Sequence, residues 1–176
     1  MKTLNKKSAI AVKKQIYPVN FSHVGLTVPN LEEALDFYLN VMGWYHIAGP
    51  IDVYEDDRES RLTTIGKLLY GEGWKKFRFA HLSAADGIGC EIFEFETNTH
   101  PTSVNTPFST GIFHFCVQDP NIEDLVARIE QYGGQRMCEI IELDPGKKPY
   151  KMVYVKDPFG NMIEIYTHSY ERHNLG

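Results

Sequence analysis

Two histidines and two glutamates lie in predicted strands, where they could act together as metal ligands. These residues are His23, Glu91, His114 and Glu164. Glu164 lies between two isoleucines, and a carboxylate in an apolar strand is costly unless it is paired or bound to a metal. Two converging carboxylates would repel each other, and a divalent cation between them would remove the repulsion. Imidazole and carboxylate together suit Zn, Ni, Co, Mn or Fe. We therefore expect one divalent metal ion per site.

These four residues occupy equivalent positions of an internal repeat. The aligned segments are Ser22-His23 with Phe113-His114, Pro29-Asn30 with Pro120-Asn121, and Glu91-Ile92-Phe93 with Glu164-Ile165-Tyr166. Each half then has a histidine on its first strand, an acidic helix start after Pro-Asn, and a glutamate on its last strand. The repeat predicts two β-α-β-β-β units in an α+β protein.

The elements that position these residues follow from alternation and helical spacing. Strands are predicted at Phe21 to Val28, Trp44 to Ala48, Phe77 to Leu82, Gly89 to Glu96, Gly111 to Val117, and about Arg136 to Glu142, Lys151 to Val155 and Asn161 to Thr167. Helices are predicted after Asn30, from about Leu62 to Leu69, and from Asn121 to Tyr132. A turn is predicted at Asp157-Pro158-Phe159-Gly160, and it leads into the last strand, which carries Glu164. The helix within 50–75 belongs to an insertion in the first half, and it is interpreted as core packing rather than as a lid or dimer contact.

Length and charge set the remaining bounds. The 176 residues predict a flexible basic tail at 1–19 and one domain at 20–176, with module one at about 20–96, a linker at about 97–110 and module two at about 111–168. A net charge of -5 argues against a nucleic-acid partner, and no apolar run reaches membrane-spanning length. Three isolated cysteines fit a reducing, cytoplasmic setting.

The chain resembles the vicinal oxygen chelate superfamily, also called the glyoxalase/bleomycin resistance/dioxygenase fold, over about residues 20–168. The resemblance rests on five segments: 23–34 (His-Val-Gly-Leu-Thr-Val-Pro-Asn-Leu-Glu-Glu-Ala), Phe37-Tyr38, Glu91-Ile92-Phe93, His114-Phe115-Cys116-Val117, and 157–164. It implies tandem βαβββ modules forming a curved mixed sheet around a metal cleft. It also implies that His23, Glu91, His114 and Glu164 correspond to the four metal ligands of glyoxalase I.

The residues at the ligand positions also distinguish between the activities known in the superfamily. Extradiol dioxygenases and fosfomycin-modifying enzymes use two histidines and one glutamate, so Glu91 argues against them, and the histidine that dioxygenases carry shortly before Val153-Tyr154 is absent. Methylmalonyl-CoA epimerase usually has glutamine at the second ligand position, and bleomycin-binding proteins lack the metal set. Glutathione-dependent relatives tend to have arginine where this chain has Thr27 and asparagine where it has Phe95. The resemblance thus implies glyoxalase I-like chemistry with a thiol cosubstrate that differs or is absent.

The implied function is a metal-dependent lyase or isomerase that moves a proton beside a carbonyl through a metal-bound enediolate. By resemblance, Glu164 is the expected catalytic base, and Glu91 is the second candidate for that role. Two alternatives stay open: a non-catalytic small-molecule binding or resistance protein, and an extradiol-type dioxygenase. A homodimer is expected from the relatives, with the site either within one chain or shared between two. The remaining histidines have no histidine counterpart in the repeat and are given no role: His46, His81, His100, His168 and His173.

Overall fold

A computed structural model describes residues 18–96 and 107–174. The strands are β1 (His23–Thr27), β2 (Tyr45–Tyr54), β3 (Lys76–Ser83), β4 (Gly89–Glu96), β5 (Phe115–Gln118), β6 (Gln135–Arg136), β7 (Ile141–Glu142), β8 (Lys151–Lys156) and β9 (Met162–Tyr166). The helices are α1 (Leu31–Asn40), α2 (Arg61–Tyr70), α3 (Ile122–Gln131) and α4 (Tyr170–Asn174). Both predicted modules are therefore present in an α+β arrangement.

Each module forms its own mixed sheet. The first sheet has the order β1-β4-β3-β2, and the second has the order β5-β9-β8-β6, with β7 also paired to β8. In both sheets the first strand runs parallel to the last, and the neighbouring pairs are antiparallel. The matching topology confirms the repeat. The two sheets are not closed into one, because no strand pairing joins them within 18–96 and 107–174.

Several strand boundaries differ from the prediction. β2 continues past Ala48 to Tyr54, through Pro50, because β2 is the edge strand of its sheet and proline is tolerated there. The stretch predicted as one strand at 136–142 is two short strands, β6 and β7. β5 is shorter than expected and begins at Phe115, so that His114 immediately precedes it.

The helices begin where the acidic Pro-Asn segments predict. The Asn30 side chain accepts a hydrogen bond from the backbone N–H of Glu33 at 3.1 Å and caps α1. Asn121 makes no such side-chain bond; its own backbone N–H donates to Asp119 at 2.8 Å. The predicted helix of the insertion is α2, which starts after Ser60 and ends at Gly71.

One apolar core spans both modules. Its buried side chains come from α1 and α3 and from one face of each sheet, including Phe37, Ile92, Ile129, Ile163 and Ile165. Burial of a large apolar side chain contributes roughly 1.5–3 kcal/mol. Side chains alternate across a strand, so Glu91 and Glu164 project from the opposite sheet faces, away from this shared core.

A buried hydrogen bond also joins the modules. The Tyr38 hydroxyl on α1 donates to Asp157 Oδ2 at 2.6 Å, and Asp157 lies in the turn that leads into β9. The same carboxylate accepts from the backbone N–H groups of Phe159 and Asn161 at 3.0 and 2.7 Å. Asp157 is only 3% exposed and Tyr38 is fully buried. The turn that positions Glu164 is thereby fixed to a helix of the other module.

Some predictions lie partly outside the described residues. Residues 1–17 of the predicted basic tail (1–19) lie outside the described ranges. So do residues 97–106 of the predicted linker (97–110), which include His100. Within the described ranges, no helix is long and apolar enough to span a membrane. Cys90, Cys116 and Cys138 are all free thiols.

Candidate metal centre

The first half of the candidate site lies on β1 and β4. Gly25 is directly opposite Glu91 in the parallel pairing, so His23, two residues earlier, projects from the same sheet face as Glu91. His23 Nε2 lies 3.7 Å from Glu91 Oε2. The other ring nitrogen, Nδ1, lies 3.2 Å from the Ser22 hydroxyl. The pairing therefore leaves Nε2 as the nitrogen directed at the carboxylate.

The second half repeats this arrangement on β5 and β9. Cys116 is opposite Glu164, and His114 is again two residues earlier. His114 Nε2 lies 3.3 Å from Glu164 Oε2. Glu164 is more enclosed than Glu91, with 9% of its side chain exposed against 28%. The two half-sites thus share one register and differ in access to solvent.

The four predicted ligands meet only in these pairs. Among residues 18–96 and 107–174, no group of three or more His, Cys, Asp or Glu side chains is arranged to hold a metal ion. The pairing of each histidine with the glutamate of its own module follows from the repeat. The assignment of all four residues to one ion stays a prediction.

Each pair is nevertheless suited to a cation. Ligand atoms that bind one metal ion at about 2.0–2.2 Å lie about 3 Å apart when they occupy neighbouring positions. The His114 Nε2 to Glu164 Oε2 separation of 3.3 Å is close to that spacing. His114 Nδ1 is buried and has no hydrogen-bond partner among the described residues, so none of these residues fixes the ring through that atom. The donor set of two imidazoles and two carboxylates fits a divalent ion such as zinc or iron.

The repeat gives no role to His81, yet this residue touches the site. His81 lies on β3 directly opposite Glu91, and its Nδ1 is 3.4 Å from Glu91 Oε1. The equivalent residue in module two is Tyr154, which lies on β8 directly opposite Glu164. A search for repeated histidines misses this relation because the two side chains differ. Counting ten residues back from each glutamate would have found it.

Two phenols, those of Tyr154 and Tyr166, lie near the Glu164 carboxylate. Burial, followed by the neighbouring Glu164 carboxylate, raises the pKa of the Tyr154 phenol well above its usual range. Burial and the nearby Glu164 carboxylate raise the pKa of Tyr166 as well. Both phenols therefore stay protonated at neutral pH and can donate to the carboxylate. The Tyr154 ring also meets the His114 ring edge-on, with centroids 5.6 Å apart.

The insertion contributes an aromatic cover to the first half-site. Tyr70, at the end of α2, packs edge-on against Phe77 and Phe95, with ring centroids 5.8 and 5.2 Å apart. Phe93 stacks on Phe95 and lies two residues from Glu91 on the same strand face. Burial and then the Glu91 carboxylate raise the pKa of Tyr70. The core-packing interpretation of α2 is therefore incomplete, because the helix also covers the face that carries Glu91.

Two further histidines gather near the second half-site. The His173 ring on α4 stacks on Tyr166 with ring centroids 4.0 Å apart, and it also stacks on Tyr150 with centroids 5.2 Å apart. The His168 backbone N–H donates to His173 Nε2 at 3.1 Å. Burial, followed by the neighbouring His168, lowers the pKa of His173. This stack packs the C-terminal helix against β9.

Known proteins are similar to this chain in sequence and in fold. The family described as the Glyoxalase/Bleomycin resistance protein/Dioxygenase superfamily matches residues 20–165. The chain is 26% identical over 153 residues to the catechol-2,3-dioxygenase of Bacillus subtilis (strain 168). That match covers 83% of this chain and 41% of the relative, so the chain spans less than half of that protein's length.

Solved structures agree on the fold. A glyoxalase family protein from Bacillus cereus superposes with a TM-score of 0.64 at 19% identity, covering 90% of this chain and 97% of that one. A glyoxalase I mutant from Zea mays superposes with a TM-score of 0.57 at 16% identity, covering 85% of this chain and 44% of that one. Likeness at such identities shows the fold alone. Since the family match extends over most of the sequence, the chain belongs to the glyoxalase/bleomycin resistance protein/dioxygenase superfamily.

Proposed function

We propose that the protein is a metal-dependent lyase or isomerase of the glyoxalase I type, which moves a proton beside a substrate carbonyl. The observation that supports this best is the pairing of Glu91 with His23 in the same register that pairs Glu164 with His114. A site with two histidines and one carboxylate would not need a glutamate at position 91. Both modules instead supply one imidazole and one carboxylate.

The roles of the residues follow from their surroundings. His23, Glu91, His114 and Glu164 would hold a divalent ion, which supplies Lewis acidity toward neighbouring substrate oxygens. Glu164 takes the proton from the carbon beside the carbonyl, because its carboxylate is enclosed, contacts His114 and lies directly opposite Tyr154 in the strand pair. The proton is then delivered to the neighbouring carbon, which was the carbonyl carbon of the substrate. Glu91 is the second catalytic carboxylate in this proposal. Proton transfer by a positioned side chain typically contributes about 10²- to 10⁴-fold.

The substrate need not carry glutathione. Phe95, at the position where glutathione-dependent relatives tend to have asparagine, packs among Phe77, Phe93 and Tyr70. Thr27 replaces their arginine on β1. An aromatic surface beside Glu91 favours an apolar substrate group over a charged peptide. We therefore propose an α-hydroxycarbonyl or a thiol adduct other than that of glutathione.

A dioxygenase is the second candidate. The 26% identity to a catechol-2,3-dioxygenase favours it, and His23, His114 and Glu164 provide the two histidines and one carboxylate of a non-haem iron site. In that case Glu91 would not bind the metal. Oxygen consumption separates this candidate from proton transfer, because isomerisation consumes none.

The first prediction concerns the reaction itself. We expect the metal-loaded protein to catalyse solvent-deuterium exchange at the carbon beside the carbonyl of an α-hydroxyketone or a hemithioacetal, with no oxygen uptake. Exchange is measured by NMR in D₂O, and oxygen uptake is measured with catechol and Fe²⁺. Oxygen uptake without exchange would favour the dioxygenase. Ligand binding that persists in chelator, with neither reaction, would indicate a non-catalytic binding protein.

We further propose that the site forms between two copies of the chain. Each chain presents its pairs on sheet faces directed away from the shared core, and no three-ligand cluster forms within the described residues. A homodimer would bring the His23–Glu91 pair of one copy to the His114–Glu164 pair of the other. A two-fold axis of symmetry would then relate two equivalent sites, one on each side of it.

Mixing two defective variants tests this arrangement. His23→Ala and His114→Ala should each lose tight metal binding as homodimers. Subunit exchange between them should restore about a quarter of the sites, since half of the dimers are mixed and each of those has one intact site of two. Metal content after gel filtration is the measurement. No recovery despite demonstrated exchange would place each site within one chain.

A further inference from the structure

The Glu91 carboxylate is contacted by a different imidazole at each oxygen. Oε2 lies 3.7 Å from His23 Nε2, and Oε1 lies 3.4 Å from His81 Nδ1. A glutamate side chain has several rotatable bonds and loses entropy when it is fixed in one geometry. With 28% of its side chain exposed, Glu91 is not held by enclosure. The contact with His81 therefore fixes Oε1 of Glu91, while Oε2 is directed at His23.

His81 is itself held in place. It lies within β3, directly opposite Glu91 in an unbroken antiparallel register from Lys76 to Ser83. Its ring rests edge-on against Phe79, with centroids 5.0 Å apart and an interplanar angle of 78°. A third of the side chain is exposed, so most of it is enclosed by neighbours. Because the ring is already held in this way, His81 presents Nδ1 to the Glu91 carboxylate without losing further conformational entropy.

Module two contains an internal comparison. Tyr154 lies directly opposite Glu164 in the equivalent strand pair. Each carboxylate therefore has a polar cross-strand partner from the neighbouring antiparallel strand. Side chains that orient a ligating carboxylate typically change metal affinity by about 10- to 100-fold when they are removed.

We propose that His81 is the positioning residue for Glu91, holding one oxygen so that the other is presented beside His23. The inference rests on the proposed function only in requiring that Glu91 binds a metal ion. In this role Nδ1 carries the proton and donates to Oε1. His81 contacts neither the metal nor the substrate, so an amide N–H in the same place should replace it.

The test measures metal affinity rather than turnover. Zn²⁺ or Co²⁺ is titrated against a chromophoric chelator with wild type, His81→Leu and His81→Asn, and His46→Leu is the matched control on the adjacent strand β2, where the side chain is exposed. We expect His81→Leu to weaken binding about 10- to 100-fold, His81→Asn to stay within about 3-fold of wild type, and His46→Leu to have no effect. Circular dichroism of the metal-free variants verifies that each one folds.

A double-mutant cycle separates the inference from the proposed function. In a Glu91→Gln background, His81→Leu should have no further effect on affinity, because the carboxylate that it positions is gone. A wild-type protein that binds no metal overturns both the proposed function and this inference. Metal binding that Glu91→Gln weakens and His81→Leu leaves unchanged overturns the inference alone. Equal losses in His81→Leu and His81→Asn, or an effect of His81→Leu that persists in the Glu91→Gln background, also overturn it.

Discussion

Glu164→Gln is expected to abolish activity while leaving the fold intact. The substitution keeps the volume of the side chain but removes the charge that the proposed metal ion and proton transfer both need. We expect metal affinity to fall by at least about 100-fold and turnover to fall by about 10²- to 10⁴-fold. Titration with Zn²⁺ and deuterium exchange at the substrate carbon measure the two losses separately.

The stability of the same variant gives an independent readout. Glu164 is 7% exposed, and a buried carboxylate without a cation is costly to desolvate. The metal-free Glu164→Gln protein should therefore unfold at a temperature equal to or above that of the metal-free wild type. Glu142→Gln is the matched control, because this glutamate is exposed on β7 of the same sheet. Full activity of Glu164→Gln would remove Glu164 from the catalytic role.

Asp157→Ala is expected to be the most destabilising substitution outside the apolar core. The carboxylate accepts from the Tyr38 hydroxyl at 2.6 Å and from the Asn161 backbone and side-chain amides, each at 2.7 Å. Hydrogen bonds to charged groups contribute about 1.5–3 kcal/mol each, and buried donors left without a partner cost about 1–3 kcal/mol. We expect the free energy of unfolding to fall by at least about 3 kcal/mol, as measured by urea denaturation.

Tyr38→Phe isolates the inter-module part of that loss. It removes one donor and should cost about 1.5–3 kcal/mol, and the exposed Tyr132→Phe serves as the control. Burial, followed by the Asp157 charge, raises the pKa of Tyr38 well above its usual range. Because the folded-state pKa lies above the unfolded value of about 10, this contribution is complete below pH 10 and is lost as the pH rises further. Wild type should therefore lose more stability in alkali than Tyr38→Phe; equal losses would contradict the pKa argument.

The repeat made most of the fold predictable from the sequence. Strand alternation and the two Pro-Asn helix starts were sufficient to place β1, β4, β9, α1 and α3 close to their observed bounds. The edge strand β2 was harder to predict, because Pro50 suggests an end to a strand unless its edge position is known. The insertion helix was found from its spacing, but its packing over the Glu91 face depends on tertiary contacts that no local pattern contains.

The site was predictable in its halves and not as a whole. The equivalence of His23 with His114 and of Glu91 with Glu164 predicts both observed pairs, since each depends only on the strand register within a module. Whether the pairs meet depends on how modules or chains assemble, which the repeat does not specify. Residue identity does not reveal the place of His81, because the equivalent position in module two holds a tyrosine, Tyr154.

The Tyr38–Asp157 bond has a consequence for how the duplicated halves recognise each other. The position equivalent to Tyr38 in module two is Ile129, and the position equivalent to Asp157 in module one is Ala84, so the bond exists in one direction only. A symmetric pair of second modules would face Asp157 with isoleucine and leave its buried carboxylate without the donor from the other module. A symmetric pair of first modules would leave the Tyr38 hydroxyl without an acceptor. One asymmetric hydrogen bond thus favours the pairing of unlike halves over the pairing of like ones.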